Sequence, residues 1–204
     1  MTQPPASIVV PPHVRGLVFD CDGTIADTMP LHYKAWSQAL GEYGHDFPEA
    51  MFYDMAGIPT VKIIEILNER HGYTLPVQAS ADRKEQLFVE MIPQVTAIEP
   101  VAAVVHANRG RLPMAVATGA TRAICIKTLQ ALGLDGCFGA VVTADDVAHG
   151  KPAPDIFLEA ARRIGVPAAD CWAFEDAEMG FRAARAAGMH VVDIRPYYRR
   201  PPAG

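Results

Sequence analysis

Two rhythms divide the chain: a helical pattern through much of its first half, and a strict alternation of short apolar runs with amphipathic stretches after residue 100. The first apolar run, Gly16 to Phe19, has the length and composition of a strand buried on both faces of a parallel sheet. It stops at Asp20 and Asp22, where Gly23 permits a tight turn. From Asp27 to about Thr96 the spacing is helical. Pro30 suits a first helical turn. Leu31, Ala35, Trp36, Ala39 and Leu40 share one face, and Gly41 and Gly44 end the helix. A second helix is predicted over 48–56 and is broken by Gly57-Ile58-Pro59. Thr60 is placed as the cap of a third, in which Ile63, Ile64 and Leu67 recur until Gly72. A fourth is predicted over 81–91. No strand is expected in this block.

After Glu99-Pro100 a helix is predicted over 101–108, then a strand over 114–117 that stops at Thr118-Gly119. Helix 122–132 ends at Gly133. Strand 140–142 leads into a loop over 143–154, and helix 155–164 ends at Gly165. Strand 171–174 stops at Glu175-Asp176, helix 178–187 ends at Gly188, and a last strand covers 190–194. Such alternation implies a parallel sheet covered on both faces. The expected fold class is therefore α/β, a Rossmann-like doubly wound parallel sheet with a small α-helical cap inserted after the first strand. Residues 1–27 and 97–204 are expected to form the core domain and residues 28–96 the cap. No internal repeat is visible, and the tail from Arg195 reads as a loosely held terminus.

Composition narrows the function classes. The chain has 204 residues, enough to bury a good core, and half of them are hydrophobic. A formal net charge of −5 leaves no electrostatic footprint for nucleic acid or an anionic membrane. A phosphate ligand must then be held by local groups. Cys21, Cys125, Cys137 and Cys171 show no CxxC spacing, which suits free thiols in a reducing compartment. Residues 1–14 lack the pattern of a secretion signal, and no apolar run is long enough to span a bilayer. A cytoplasmic protein, monomeric by default for its size, is expected.

The candidate chemistry lies at the strand ends. Open α/β sheets bind ligands at the carboxyl ends of their strands. Asp20 and Asp22, Thr118, the loop with Lys151, and Glu175 with Asp176 all fall at that edge. Asp-x-Asp-Gly-Thr by itself also reads as a strand followed by a turn; four polar strand ends on one rim do not. Clustered carboxylates repel, and a hard cation held by oxygen ligands relieves them. A phosphate monoester needs this arrangement. A carboxylate nucleophile divides the slow hydrolysis into two easier steps, and a divalent cation lets two anions approach. Asp20 fits nucleophile and metal ligand together, with Asp176 as the opposing ligand and Glu175 binding directly or through water. The Thr118 hydroxyl and neighbouring backbone N–H groups supply donors to the transferring oxygens. Lys151 offsets the carboxylate excess. Asp22, two residues past the nucleophile, is placed to act as general acid and base.

These residues, Asp20-x-Asp22-Gly23-Thr24, Thr118, Lys151-Pro152-Ala153-Pro154 and Phe174-Glu175-Asp176, resemble the four motifs of the haloacid dehalogenase-like phosphohydrolases. The helical insert resembles the cap of the subgroup that contains β-phosphoglucomutase. His32-Tyr33-Lys34-Ala35-Trp36, Gly57 to Thr60 and Gly150 to Asp155 look like bacterial phosphatases acting on fructose 1-phosphate and 6-phosphogluconate. The resemblance implies Mg2+, an aspartyl-phosphate on Asp20, a small sugar phosphate as substrate, and metal ligation by Asp20, the Asp22 backbone carbonyl, Glu175 and Asp176. Thr118, Gly119, Lys151, His32 and Thr60 are the implied substrate-binding positions. Thr118-Gly119 stands where many relatives are serine-rich, and the hydroxyl is retained. The cap arginine that holds the second phosphate in the mutase matches Thr60 here. This favours a phosphatase over a β-phosphoglucomutase-type isomerase, unless Lys62 or Arg70 substitutes. His32 fits either a place near the catalytic acids or a structural role, Trp36 either cap core or a stacking platform, and Asp27 either a hinge cap or a ligand. Asp145 and Asp146 read as solvated loop residues or as supports of the Lys151 loop.

Overall fold

Leu17, Val18 and Phe19 are wholly buried, which requires cover on both faces of the strand they form. That strand, β1 (Gly16–Phe19), is the middle one of five. The others are β2 (Met114–Ala117), β3 (Ala140–Val142), β4 (Cys171–Glu175) and β5 (His190–Asp193). They run parallel in the order β3-β2-β1-β4-β5. Val18 pairs in register with Ala115 on one side and Ala173 on the other. The computed structural model describes residues 7–55 and 58–198. It divides into two units, one formed by the chain up to Asp27 and from Val95 onward, the other by Thr28–Gln94.

The second unit is helical among its described residues. It comprises α1 (Met29–Gly41), α2 (Glu49–Asp54), α3 (Thr60–His71) and α4 (Val77–Met91), with a 3-10 turn at Ile92–Gln94. Trp36, Leu40, Phe47, Phe52, Ile63, Ile64 and Leu67 form its core. Trp36 therefore belongs to the packing of this unit, where its ring lies 5.4 Å from Phe47. Thr60 does not cap α3. Pro59 occupies the cap position, and the Thr60 hydroxyl instead donates to Glu85 at 2.7 Å. Helix α4 starts at Val77, directly after Pro76, four residues ahead of the sequence expectation. Its first turn carries Gln78 and Ser80, and such polar residues hide a helix start from apolar periodicity. Ala56 and Gly57, at the end predicted for the second helix, lie outside the described residues, as does the tail from residue 199.

Helices α5 (Glu99–Asn108), α6 (Arg122–Ala131), α7 (Asp155–Arg163) and α8 (Glu178–Ala186) complete the α/β unit. Pro100 lies inside the first turn of α5 rather than before it. A proline costs no hydrogen bond there, because the first N–H groups of a helix have no internal partner. Alternate strand residues bury on opposite faces. Val18, Ala115, Ala117 and Ala173 pack with Ile156, Phe157 and Ala160 of α7 and with Ala183 and Ala184 of α8. On the other face Phe19 stacks on Phe174 with ring centres 4.6 Å apart. The fold is thus the doubly wound parallel sheet that the alternation predicts. A 3-10 turn at Ala144–Asp146, absent from the sequence reading, follows β3. Among the described residues no helix is long and apolar enough to cross a membrane.

Candidate active site

The C-terminal ends of β1 and β4 deliver the acids, and that of β2 delivers Thr118. Past Phe19 the chain still pairs with β4, Asp20 N–H donating to the Phe174 carbonyl at 3.0 Å. It then folds back on itself: the N–H groups of Ile25 and Ala26 both donate to the Cys21 carbonyl at 3.0 Å. Gly23 carries φ +83° in this turn, and a Cβ there would stand 2.3 Å from Asp176 Oδ2. Only glycine permits both the backbone angle and the carboxylate beside it. The Thr24 hydroxyl donates to Asp176 Oδ1 at 3.1 Å, so the turn after β1 orients the acid after β4.

Three carboxylates converge here. Oxygens of Asp20, Glu175 and Asp176 lie within 4.8 Å of one another. The Lys151 ammonium reaches Asp20 Oδ1 at 2.6 Å and Glu175 Oε1 at 2.5 Å. Glu175 Oε2 accepts the backbone N–H groups of Asp176 and Ala177 at 2.8 and 2.9 Å. Both oxygens of Glu175 are therefore engaged, and its side chain is 1% exposed. Thr118 is buried at the end of β2, its N–H paired to the Val142 carbonyl at 3.0 Å. Its hydroxyl accepts the Ala120 N–H at 3.1 Å and lies 3.5 Å from Asp22 Oδ2. Nothing stands within 4 Å of a Cβ built on Gly119, so the loop backbone is open to an approaching group.

Like charges crowd this edge of the sheet. Burial pushes the Asp20 carboxyl well up, and Glu175 and Asp176 push it further, while Lys151 opposes them. Burial would by itself lower the Lys151 amine, but the Asp20 and Glu175 carboxylates outweigh it and hold the group above its ordinary range. Lys151 pairs with two of the three carboxylates, Asp20 and Glu175. A dication held by oxygen ligands fits that excess. Mg2+ with ligands at about 2.1 Å spans about 4.2 Å between opposing oxygens, close to the spread of these acids. The donor set, all hard oxygen, also suits Mg2+ rather than a softer metal.

His32 and Thr60 lie in the helical unit, where one network joins them. Lys84 Nζ lies 3.0 Å from His32 Nδ1 and 3.0 Å from Glu85 Oε1, the oxygen that also accepts the Thr60 hydroxyl. The His32 ring stacks on Phe88 at 3.7 Å, and the Lys84 side chain is 4% exposed. Burial raises the Glu85 carboxyl, yet Lys84 and the Thr60 hydroxyl bring it below its usual range. Sequence reasoning passed over Lys84 and Glu85. The signal was present: Lys84 lies on the helix face that carries Ala81, Leu87 and Phe88, a core position for a charged residue. Thr28, not Asp27, occupies the N-cap of α1, and Asp27 accepts a hydrogen bond from the Tyr198 hydroxyl. Lys62 pairs with Glu65 at 2.8 Å on the surface.

A parallel α/β sheet with an acid cluster and a lysine at its carboxyl edge defines a class of hydrolases. The chain matches the haloacid dehalogenase-like hydrolase family over residues 14–188 and belongs to it. It is 45% identical over 180 residues to the fructose-1-phosphate phosphatase YqaB of Escherichia coli K12, covering 88% of this chain and 96% of that one. It is 30% identical over 190 residues to the β-phosphoglucomutase of Bacillus subtilis 168, covering 89% and 83%. The crystal structure of CbbY from Rhodobacter sphaeroides in complex with phosphate superposes with a TM-score of 0.78 at 24% identity, covering 94% of this chain and 91% of that one. At that identity the likeness concerns the fold.

Proposed function

We propose that this enzyme is a Mg2+-dependent phosphatase of small sugar or polyol phosphate monoesters, such as fructose 1-phosphate or 6-phosphogluconate, working through an aspartyl-phosphate on Asp20. The observation that carries this reading is the meeting of Asp20, Glu175 and Asp176 around Lys151 at the carboxyl edge of the sheet. The 45% identity with a fructose-1-phosphate phosphatase supports the substrate class.

Asp20, Asp176 and the Asp22 carbonyl are assigned to hold the ion, which neutralises the ester's charge so that a carboxylate can approach it. Glu175, with both oxygens committed, serves chiefly to fix Lys151 and the chain at Asp176. Asp20 forms a bond to phosphorus as the ester P–O bond breaks, and Asp22 gives the departing alkoxide its proton. Asp22 then takes a proton from the water that displaces Asp20. Thr118 and the Gly119 N–H donate to the phosphoryl oxygens, and Lys151 offsets their charge. A cytoplasmic monomer completes the proposal; the four cysteines are buried free thiols, which suits a reducing compartment.

A β-phosphoglucomutase-type isomerase is the second reading, favoured by the 30% identical relative. Against it, Thr60 stands at the position matched to the mutase arginine and bonds a carboxylate, Glu85, while Lys62 is paired elsewhere. The test is phosphate release over a panel of sugar phosphates, with and without Mg2+. Turnover that needs Mg2+ and falls by about 10⁴-fold or more in Asp20→Asn is expected. Glucose 6-phosphate formation dependent on a bisphosphate would select the mutase, and an Asp20→Asn variant as active as the parent would end both readings.

A further inference from the structure

We propose that Asp146 is a positioning residue: one carboxylate that ties the loop carrying Thr118 to the loop carrying Lys151. The proposal rests on the phosphatase reading for its catalytic consequence, but the linkage itself is geometric. Asp146 ends the 3-10 turn after β3 and is 15% exposed. Its Oδ2 accepts the Thr143 N–H at 2.8 Å, the Thr143 hydroxyl at 2.9 Å and Arg122 Nη2 at 2.5 Å. Its Oδ1 accepts Arg163 Nη2 at 2.8 Å.

The two arginines come from different helices. Arg122 opens α6, directly after the Thr118 loop, and Arg163 closes α7, the helix that follows the Lys151 loop. Both guanidinium groups also donate to the Val141 carbonyl, at 3.3 and 3.2 Å. Further bonds hold the same junction. Asp145 Oδ2 accepts the Arg122 N–H at 2.8 Å, and Ala144 N–H donates to the Ala120 carbonyl at 3.2 Å. The Thr118 loop is thus pinned at Ala120 and Arg122 to the turn that Asp146 closes, and the Lys151 loop leaves from that turn. Charge-assisted bonds from two guanidinium groups are the strong kind. Burial works against the ionised form of Asp146, and Arg163, Thr143 and Arg122 more than reverse it, so the carboxylate stays charged. Asp146 needs no contact with a reacting group to matter. Lys151 meets Asp20 and Glu175 at 2.6 and 2.5 Å, and a misplacement of about 1 Å at such a site costs up to about 100-fold in rate.

Asp146→Asn and Arg163→Met are compared with the parent by steady-state phosphate release, and by hydrogen exchange of the backbone amides. Glu159→Gln is the control, because Glu159 also binds Arg163, at 2.6 Å, without touching Asp146. Rates are taken per folded molecule, at temperatures well below each variant's unfolding. The expected result is a kcat lower by about 10- to 100-fold in Asp146→Asn with KM changed less than about threefold. Arg163→Met should fall similarly and Arg163→Lys should recover part of the loss, while Glu159→Gln keeps parental kinetics. Exchange should rise in both 118–121 and 147–154, with β1 and β4 unchanged. Parental kcat and KM in folded Asp146→Asn, or a rise in exchange confined to 143–146, would overturn the proposal. If the parent releases no phosphate from any sugar phosphate, the phosphatase reading fails on that result, and exchange alone decides the linkage.

Discussion

Glu175 owes its position to a missing methyl group. A Cβ built on Gly180 of α8 would stand 1.7 Å from Glu175 Oε1. Alanine in a helix interior ordinarily gains about 1 kcal/mol over glycine. Here the clash should reverse the sign, because overfilling a packed site costs about 1–3 kcal/mol. Gly180→Ala is therefore expected to lower thermal stability and, by displacing the carboxylate that fixes Lys151, to lower kcat as well. Melting curves and phosphate release check both; a variant more stable than the parent would show that Glu175 has room to move. Lys151 makes the complementary case. Removing one partner of a buried ion pair costs about 3–5 kcal/mol, since the other charge is left uncompensated. Lys151→Met should accordingly melt lower than the parent, and Mg2+ should restore more of its stability than it adds to the parent. No Mg2+ response in either protein would argue against a dication among these acids.

At the scale of elements, two features have roles that their local spacing does not reveal. The 3-10 turn after β3 is three residues long, yet Asp146 makes it the junction of α6 and α7. Its carboxyl lies far below the ordinary carboxylate range in the folded protein. Such a group contributes its stability in full above the unfolded-state value, about 3.9, and loses it only as pH falls through the folded value. Asp146→Asn should therefore destabilise the protein at pH 7, and the difference from the parent should shrink as pH drops below about 4. Thermal unfolding from pH 7 to pH 3 tests this; a difference that stays constant would remove the carboxylate's charge from the account. Helix α4 is the second case. Most of its inward face is apolar, but Lys84 interrupts it and is accommodated by His32, Glu85 and the rings of Trp36 and Phe88. A lysine on an otherwise apolar stripe was the visible mark of that network.

For the molecule as a whole, hydrophobic pattern and chain order carried the fold. Runs such as Gly16–Phe19 and Met114–Ala117 are too short for helices and stop at Asp20 and at Thr118-Gly119, so a buried parallel strand is the arrangement that satisfies their backbones. The helical spacing of Leu31, Ala35, Trp36 and Leu40 likewise sufficed to find α1, since one stripe must face a core. Strand ends were legible too, and right-handed parallel connections send them to one rim, which is why the sequence alone groups Asp20, Thr118, Lys151, Glu175 and Asp176. Helix starts at prolines were less clear: polar residues in the first turn of α4 interrupt the apolar period, and Pro100 lies inside the first turn of α5. Contacts between residues far apart in the chain were beyond reach: Thr60 on Glu85 and Arg163 on Asp146. Periodicity reports which face a residue takes within its own element. Which distant side chain stands opposite depends on how elements pack, and that is settled by the simultaneous fit of many surfaces, so it is decided only by the tertiary structure.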